Sequence, residues 1–435
     1  LIGILDNNDD KQHTLIHGIA VLGKINSLLK IKDEHKIELV IIALSSNEQE
    51  SIKEAVREAR EAGIKNVKIM PQFSLILEQK IAFEALRDVS IEDLLERDVA
   101  KIDTQGIEEF IKNKILLVTG AAGSIGSELA RQIAKFKPQK LIILDLNESG
   151  IFDLANELNV LVEDLNLISI VGNITDKKKM TQIFLNHKPE IVFHAAAYKH
   201  VPLMEDQPEE AVITNIFGTL CVAEIARRNG VQKFVFISTD KAVKPISVMG
   251  QTKRIGEQII HIMEGETKFI AVRFGNVLAS RGSVIPLFQE QIKRRTAVTV
   301  THPDMTRYFM TIPEAALLVL EAGAIGDGQE IFMLDMGKPV KIVELAREII
   351  RLSGFEPDKD IPIVFTGIRP GEKLYEELWT DAEGKNQTKY EKIFVAKANS
   401  KTSRLDLFNY LKDIEKLLFT DKEKLKEILR LITKQ

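Results

Sequence analysis

The chain has 435 residues, with 59 Lys and Arg against 63 Asp and Glu, and a formal net charge of −4. Hydrophobic residues make up 45% and charged residues 28%, which is the balance of a soluble globular protein and excludes general disorder. The near-neutral charge gives no indication of a nucleic-acid partner. The length predicts two or three domains, because domains commonly hold about 100–200 residues.

The single cysteine, Cys221, excludes an internal disulfide and a thiolate metal cluster, so we expect a reducing compartment. The eight histidines show no spacing typical of a metal site, and we predict no metal. No apolar run approaches the roughly 20 residues of a membrane-spanning helix. The chain begins at Leu1 rather than at Met, from which we expect a fragment of a longer protein.

Residues 1–75 predict a truncated Rossmann-like domain, because apolar strands alternate with amphipathic helices as in a parallel α/β sheet. The usual opening strand and Gly-rich turn are missing, so we assign this domain no nucleotide. Packing or oligomerisation is its default role. The predicted elements are the strand Leu1–Asp6, the helix Val21–Lys30, the strand Glu38–Leu44, the helix Asn47–Ala62 and the strand Val67–Met70.

Three further regions follow along the chain. Residues 76–112 predict a connecting helical segment, with Ser90 as a helix N-cap. Residues 113–275 predict a doubly wound Rossmann domain, and residues 276–435 a smaller α/β substrate-binding region that ends in amphipathic helices. The elements predicted in the Rossmann domain are the strand Ile115–Thr119, the helix Ser127–Lys135 and the strands Leu141–Leu144, Leu167–Val171, Ile191–His194 and Lys233–Ser238.

A glycine triplet, Gly120, Gly123 and Gly126, lies between the first strand and the first helix of this domain. Glycine permits a tight turn and lets backbone N–H groups approach a pyrophosphate at the start of the helix. Such a triplet also fits an ordinary turn, but its position between a strand and a helix favours a dinucleotide site. Asp145 ends the next strand, where a carboxylate would bind the adenosine ribose and repel the extra phosphate of NADP. We therefore predict NAD as the cofactor.

Other cofactor contacts are predicted in the loop and after the third and fourth strands. Side chains after the third strand commonly border the adenine, and small residues after the fourth leave room beside the nicotinamide ribose. The residues are Ser124, Ile125, Asn173, Ile174, Ala195, Ala196 and Ala197.

Reactive side chains follow the strand that ends at Ser238. Thr239, Asp240 and Lys241 come directly after it, and Met249 and Lys253 stand four residues apart, on one face of the next helix. This pattern resembles the extended short-chain dehydrogenase/reductase superfamily, in which a Ser or Thr at the strand end acts with a Tyr-x-x-x-Lys motif. The resemblance implies that Lys253 binds the nicotinamide ribose.

Eight stretches carry a closer resemblance. They are Thr119–Gly126, His194–Glu205, Thr214–Asn215, Ser238–Lys241, Arg273–Leu278, Gly282–Pro286, Met305–Phe309 and Arg369–Lys373. Together they are similar to the long, membrane-linked bacterial nucleotide-sugar 4,6-dehydratases of capsule and protein-glycosylation pathways. Within that family the UDP-N-acetylglucosamine 4,6-dehydratases of the bacillosamine route match best, over nearly the whole chain.

The resemblance implies a reaction in which NAD takes the C4 hydride of the sugar, water leaves from C5 and C6, and the hydride returns to C6. Asp240 would be the acid for the leaving hydroxyl, Lys241 the base at C5, and Thr239 the hydrogen-bond partner of O4. A free Asp carboxyl has a pKa of about 3.9 and a free Lys amine has a pKa of about 10.4. Asp240 can therefore act as an acid, and Lys241 as a base, only if the site favours the neutral form of each. A salt-bridged turn is the structural alternative for Asp240 and Lys241.

Met249 departs from the superfamily pattern, which has a Tyr there as the base for the O4 proton. Thioether sulfur cannot accept that proton, so two hypotheses stay open. Either the site is inactive, or the proton leaves through Thr239, Asp240, water or Lys253. The resemblance favours the second, because long-chain members commonly carry Met here. Met249 can in either case pack over the cofactor.

The diphosphate of a sugar nucleotide calls for Arg and Lys, and Arg suits bidentate contact. His194 ends an apolar strand and is predicted to be a hydrogen-bonded core residue. By resemblance, the substrate-binding candidates are Asn276, Arg281, Arg307 and Arg369 at the nucleotide, and Lys199, His200 and Glu205 at the sugar.

The leading hypothesis is an NAD-dependent UDP-N-acetylglucosamine 4,6-dehydratase that retains configuration at C5. The alternatives are a C5-inverting dehydratase, a 4-epimerase of the same superfamily, and a non-catalytic NAD-binding protein. Asp240 and Lys241 argue against the epimerase, which needs no elimination acid, and Met249 supports the non-catalytic reading. The resemblance further implies a homo-oligomer, and a parent protein anchored at the cytoplasmic side of the inner membrane through segments absent from this chain.

Overall fold

The computed structural model describes residues 1–44, 48–70, 86–94, 101–380, 386–396 and 403–434. Within these limits the chain divides into two compact units. The first unit comprises residues 1–99, 287–299 and 344–364, and the second comprises residues 100–286, 300–343 and 365–435. Residues 76–85 and 95–100 of the predicted connecting segment lie outside the described residues.

The N-terminal part of the first unit contains two three-stranded sheets. One has the order Ile4–Leu5, Ile19–Gly23, Leu15–Ile16, and the other the order Leu39–Ile42, Asn66–Ile69, Arg87–Asp88. The helices are Leu28–Glu34, Gln49–Glu61 and Ile91–Leu94. Leu28, Ala59, Ala62 and Ile64 form a small apolar core.

The predicted helix Val21–Lys30 is wrong in its first half. Ile19–Gly23 is a strand, paired in parallel with Ile4–Leu5 and antiparallel with Leu15–Ile16. The β-branched residues Ile19 and Val21 favour the extended backbone, and hydrogen-bonded pairing with a strand on each side stabilises it. The helix begins only at Leu28.

A nine-stranded sheet forms the centre of the second unit. From one edge to the other, its strands are Leu167–Val171, Lys140–Asp145, Ile115–Thr119, Ile191–His194, Lys233–Ile237, Lys268–Arg273, Ile331–Leu334, Ile393–Ala396 and Asn386–Gln387. The first seven pair in parallel, Ile393–Ala396 pairs antiparallel with Ile331–Leu334, and Asn386–Gln387 pairs antiparallel with Ile393–Ala396. The sheet continues past residue 275, because three strands from the predicted substrate region join its far edge.

The strand order reverses direction between Ile115–Thr119 and Ile191–His194. In doubly wound sheets a crevice opens at this point, outside the carboxyl ends of the strands, and ligands bind there. The predicted Rossmann-type fold is therefore confirmed, and the glycine triplet lies at its crevice. Alternate residues face opposite sides of the sheet: Leu116 and Val118 belong to one buried cluster and Leu117 to another.

Helices cover both faces of this sheet, as a parallel sheet requires. In the chain after residue 100 the helices are Thr104–Ile111, Ser124–Lys135, Glu148–Leu161, Lys177–His187, Val201–Asp206, Pro208–Ala211, Thr219–Arg228, Val248–Ile262, Val284–Lys293, Ile312–Ile325, Ile342–Leu352, Arg404–Leu417 and Lys422–Thr433. A π-helical segment, Val212–Gly218, precedes Thr219–Arg228. Short strand pairs join Asn276–Val277 to Phe309–Met310, Val298–Val300 to Ile363–Phe365, and Thr306–Arg307 to Val340–Lys341.

The two C-terminal helices were predicted from their amphipathic pattern, and the structure confirms them. Each buries one face, through Leu407, Leu411 and Ile414 in the first and Leu425, Leu429 and Ile432 in the second. The last helix packs against Val248–Ile262, and the Gln258 side-chain amide donates to the Ile432 carbonyl at 3.5 Å. Across the residues with described structure, no helix combines the length and apolar character needed to cross a bilayer.

Candidate active site

The glycine triplet forms a tight turn whose close approaches exclude side chains. Gly120 has φ of +70°, and a Cβ there would lie 2.5 Å from the Ala196 nitrogen. A Cβ on Gly126 would lie 2.1 Å from the Gly120 carbonyl oxygen. Gly123 precedes the helix Ser124–Lys135 and offers no side-chain cap to its first N–H groups. The turn therefore presents backbone donors at the positive end of a helix, which suits a phosphate.

Asp145 ends its strand beside this turn, as predicted. One carboxylate oxygen accepts a hydrogen bond from the Ala122 backbone at 3.0 Å, and the other accepts one from the Asn147 backbone at 2.9 Å. These bonds fix the carboxylate against the glycine turn. Because each carboxylate oxygen has a second lone pair, the group can still accept from a ribose hydroxyl.

The other predicted cofactor residues border the same crevice. Ala195, Ala196 and Ala197 directly follow the strand that ends at His194, and Ala196 touches the glycine turn. Asn173 is exposed, and its side-chain oxygen accepts from the Thr175 backbone at 2.9 Å. Ile174 is buried and packs against Gly218. Ser124 and Ile125 are the first two residues of the helix Ser124–Lys135, which begins after Gly123 and contains Gly126. The helix therefore starts three residues before the predicted Ser127.

His194 is a hydrogen-bonded core residue, as predicted. Its two ring nitrogens lie 2.7 Å from the Thr119 hydroxyl and 3.1 Å from the Thr219 hydroxyl. Burial, and to a lesser extent the Lys253 charge, lower the pKa of His194 to about 3. The ring is therefore neutral at physiological pH and does not titrate there.

Thr239, Asp240 and Lys241 form a connected cluster after the strand Lys233–Ile237. The Asp240 side chain is fully buried, and its Oδ1 accepts from the Thr239 hydroxyl at 2.8 Å and from Lys241 Nζ at 3.0 Å. Lys241 Nζ also donates to Asn276 Oδ1 at 2.9 Å. Asp240 Oδ2 is buried and has no hydrogen-bond partner within the described structure. Such an oxygen is costly to leave unpaired. The Asp240–Lys241 ion pair is the contact that a salt-bridged turn predicts.

Met249 and Lys253 share one face of the helix Val248–Ile262, as predicted, and both are buried. Lys253 Nζ lies 3.9 Å from the centroid of the Phe236 ring, a cation–π distance. Burial lowers the pKa of Lys253 to about 7, against the opposing attraction of the Glu257 carboxylate. Met249 packs within an apolar cluster and supplies no acid or base.

Beneath this cluster lies a buried ionic network that the sequence analysis missed. Glu257 accepts two hydrogen bonds from the Arg273 guanidinium, both at 2.7 Å, and one from the Ser238 hydroxyl at 2.6 Å. Arg254 adds a contact at 3.1 Å. Ser238 directly precedes Thr239, so the network fixes the end of the strand Lys233–Ile237 to the helix that carries Lys253.

Asn215, in the π-helical segment, fixes a second loop. Its side chain accepts from the Tyr198 backbone N–H at 2.8 Å and donates to the Tyr198 carbonyl at 3.0 Å and to the Thr252 hydroxyl at 3.0 Å. π-Helical turns often occur at functional sites. Here the turn joins the loop after His194 to the helix of Met249 and Lys253.

A cavity of about 180 Å³ opens beside Lys241. It is lined by Val201, Lys241, Ile246, Ser247, Asn276, Arg307, Gly371, Glu372, Lys373 and Glu376. Arg307 is buried, and its guanidinium donates to the Thr306, Lys373 and Leu374 carbonyls, so it holds the 373–374 backbone in place. Glu376 lies far along the chain from Lys241 and was missed by the sequence analysis.

The remaining substrate-binding candidates do not line this cavity and lie at several other places. Arg281 lies at the glycine turn: its guanidinium donates to the Ala122 carbonyl at 3.2 Å, and its backbone N–H to the Ser124 hydroxyl at 3.1 Å. Glu205 accepts from the Val248 backbone at 2.7 Å and so caps the helix of Met249 and Lys253. Lys199 Nζ reaches the Ser280 hydroxyl at 3.5 Å. His200 and Arg369 are exposed, and His200 packs on Gly282.

The sheet order and the glycine turn define a Rossmann-type α/β protein. A family model described as polysaccharide biosynthesis protein matches residues 116–398. The chain therefore belongs to the polysaccharide biosynthesis protein family. A second model, described as a CoA-binding domain, matches residues 1–71, within the predicted truncated Rossmann-like domain.

Three similar proteins show the range of this family's relatives. The capsular polysaccharide biosynthesis protein CapD of Staphylococcus aureus is 46% identical over 403 residues, covering 92% of this chain and 67% of CapD. A UDP-glucose 4-epimerase of Rickettsia rickettsii is 36% identical over 280 residues, covering 62% of this chain and 79% of the epimerase. Among solved structures, Pen from Bacillus thuringiensis has a TM-score of 0.62 and 35% identity, over 67% of this chain and 91% of Pen.

Proposed function

We propose that this chain is an NAD-dependent UDP-N-acetylglucosamine 4,6-dehydratase that retains configuration at C5. The family membership supports a role in polysaccharide biosynthesis. The observation that carries the proposal is the buried Asp240, whose free Oδ2 lies in a cluster with Lys241. In the structure the two form a salt bridge. Once Asp240 has gained a proton and Lys241 has lost one, they are an acid and a base side by side, as elimination of water requires.

The crevice residues fit NAD. The glycine turn leaves room that any Cβ would fill, and it presents N–H groups for a pyrophosphate. Asp145 would accept from the adenosine ribose, and Lys253 would donate to the nicotinamide ribose. Bound NAD would supply the acceptor for the C4 hydride and the donor that returns it to C6.

The chain's own residues would handle the protons. Thr239 would bind O4 of the sugar and pass its proton to Asp240, since the Thr239 hydroxyl already donates to Asp240 Oδ1 at 2.8 Å. This route takes over the role of the Tyr base, whose position Met249 occupies in this chain. Asp240 would then protonate the C6 hydroxyl as it leaves, while Lys241 removes the C5 proton and later delivers a proton, exchanged with solvent at Nζ, to the same face.

An epimerase is the second candidate, because a relative named UDP-glucose 4-epimerase is 36% identical over 280 residues. A 4-epimerase removes and returns hydride at one carbon and needs no acid for a leaving group. The buried pair Asp240 and Lys241 would then have no chemical task, which is why the dehydratase is preferred. Assembly into a homo-oligomer and attachment of the parent protein at the cytoplasmic side of the inner membrane stay predictions.

The test is to incubate the protein with UDP-N-acetylglucosamine and NAD in D2O and to follow the sugar by NMR. The dehydratase gives a 4-keto-6-deoxy sugar with deuterium at C5, and the C5 configuration separates retention from inversion. A 4-epimer of the substrate would support the epimerase, and an unchanged sugar would contradict both. The variant Asp240→Asn should lose about 10²-fold or more of the elimination rate while NAD stays bound.

A further inference from the structure

Lys241 lies between two buried carboxylates. Its Nζ is 3.0 Å from Asp240 Oδ1 and 4.0 Å from Glu376 Oε1. The Glu376 side chain is 4% exposed, and the Asp240 side chain is fully buried. In each carboxylate the second oxygen is buried without a hydrogen-bond partner in the described part of the chain. One amine thus faces two different carboxylates, one at hydrogen-bond distance and one at 4.0 Å.

The charges that face Glu376 come from several elements. Arg307 Nε lies 3.8 Å from Glu376 Oε1, and Lys373 and Asp240 also act on the carboxyl. Burial raises the pKa of the Glu376 carboxyl, the cations Lys241, Arg307 and Lys373 oppose this shift, and the Asp240 carboxylate reinforces it. Glu376 is therefore closer to proton exchange than an ordinary glutamate.

In the proposed dehydration, the proton that Lys241 carries at the start has no acceptor. Asp240 receives the O4 proton through Thr239 and must keep it for the leaving hydroxyl. Lys241 must be neutral before it can accept the C5 proton, but its neighbour Asp240 is by then already protonated. A second acceptor within reach of Lys241 Nζ is required.

We propose that Glu376 is that acceptor and stores the Lys241 proton during each turnover. The inference rests on the proposed function and names a catalytic-site residue that assists it. An N–H bond of Lys241 breaks and an O–H bond forms on Glu376, so the lone pair on Nζ becomes available for the C5 proton. After Lys241 delivers a proton from Nζ to C5, Glu376 gives the stored proton back to Nζ. Asp240, Lys241 and Glu376 all end as they began.

The 4.0 Å separation exceeds a hydrogen bond, which requires about 3.2 Å or less between heavy atoms. A movement of about 1 Å by either side chain, or one bridging water, closes the gap, and catalytic contacts commonly tighten when substrate binds. Both side chains border the same cavity, so substrate entering there contacts this pair directly.

The experiment compares Glu376→Gln with Glu377→Gln. Glu377 is the next residue, but it is 44% exposed and pairs with Lys244 at 3.0 Å, so its variant is a matched control. We expect Glu376→Gln to lower kcat by about 10-fold or more near pH 7, with KM changed less than about 3-fold. The loss should shrink toward pH 9, because hydroxide can then take the Lys241 proton, and Glu376→Asp should recover part of the rate. Glu377→Gln should match the parent.

A Glu376→Gln variant whose rate and pH profile match the parent would overturn the proposal. So would an equal loss at every pH with a raised KM, which would indicate only a structural role around Arg307. If Glu376→Gln does not fold, Glu376→Asp decides by the same pH dependence.

Infrared difference spectra taken without substrate, across roughly pH 5 to 9, give a reading that needs no turnover. A protonated-carboxyl band that is absent near pH 7, appears as the pH falls, and is missing in Glu376→Gln supports the proposal. Identical spectra of the two proteins, or a Glu376 carboxyl band already present at pH 7 and above, contradict it. Failure of the parent to convert UDP-N-acetylglucosamine would contradict the proposed function instead.

Discussion

Glu257 connects three elements at the base of the site. It binds Arg273 on one strand and Ser238 at the end of another, and it lies on the helix of Lys253. Burial by itself would raise the pKa of Glu257, but the Arg273 guanidinium, with Arg254 and Ser238, lowers it to about 2. The carboxylate is therefore ionised throughout the physiological range and also acts as the counter-charge of Lys253.

Replacing Glu257 with Gln should cost about 3–5 kcal/mol of unfolding free energy, because it leaves the buried Arg273 charge uncompensated. Urea denaturation monitored by circular dichroism measures this. The control is Glu224→Gln, which removes a surface pair with Arg228 at 3.3 Å and should change the free energy by less than about 0.5 kcal/mol. Equal effects of the two substitutions would show that the network does not stabilise the fold.

Glu257 makes the free energy of unfolding depend on pH, in a direction that follows from its lowered pKa. Its pKa is lower in the folded protein than the ordinary value of 4.5, so the unfolded chain binds the proton more readily. The stabilisation is complete above about pH 4.5 and is lost as the pH falls from there toward 2. In Glu257→Gln this part of the acid-induced loss of stability should disappear.

The sequence could predict part of this site and not the rest. Thr239, Asp240 and Lys241 are adjacent in the chain, so a strand end was enough to place them together. Glu376 meets Lys241 only through the fold, in a loop with no helical or strand periodicity. Arg281 lies against Ala122 and Ser124 at the glycine turn, a contact that nothing in its local sequence specifies. Its role at the substrate diphosphate stays a prediction.

At the scale of elements, the glycine turn and the strand after it form one unit. Gly120 combines a left-handed backbone with a close approach to Ala196. Gly230 has the same φ of +70° but has nothing within 4 Å of a built Cβ. Alanine substitutions at the two glycines therefore separate two costs in stability, that of a left-handed backbone and that of a Cβ without space.

Gly230→Ala should cost about 1–2 kcal/mol, which is the price of a left-handed backbone for a residue with a Cβ. Gly120→Ala should cost more, because the Cβ would displace Ala196, and it should weaken NAD binding about 10-fold or more. Chemical denaturation and calorimetric NAD titration measure the two effects. Equal stability losses, with NAD affinity kept, would show that the close approach does not matter.

Five of the nine strands of the central sheet are predicted, each to within about one residue at either end, because a buried parallel strand is a short apolar run between turns. The strand Leu167–Val171 agrees at both ends. Part of Ile19–Gly23 falls in the predicted helix Val21–Lys30, because a short apolar segment is compatible with both the helical and the strand periodicity. Its pairing with a strand on each side, which the local sequence does not show, makes it a strand.

At the scale of the whole chain, the C-terminal helices support the site from a distance. Leu429 on the last helix is fully buried, whereas Leu431, two residues later, is 50% exposed. The amphipathic pattern of residues 405–435 predicts surface helices. It could not predict that the last helix packs against the helix of Lys253.

Leu429→Ala should lower the unfolding free energy by about 2–5 kcal/mol, because it leaves a cavity in the packed interface. Leu431→Ala should change it by less than about 0.5 kcal/mol. Urea midpoints of both variants at one pH provide the comparison. If the two losses are similar, the last helix does not pack as the structure describes.

The most direct test of the proposed dehydration follows one hydrogen atom. UDP-N-acetylglucosamine labelled with deuterium at C4 is incubated with the protein and NAD, and the product is analysed by NMR and mass spectrometry. The mechanism predicts that the label leaves C4 and appears in the C6 methyl group of a 4-keto-6-deoxy sugar. Recovery of the label at C4, whether in the unchanged sugar or in its 4-epimer, would contradict it.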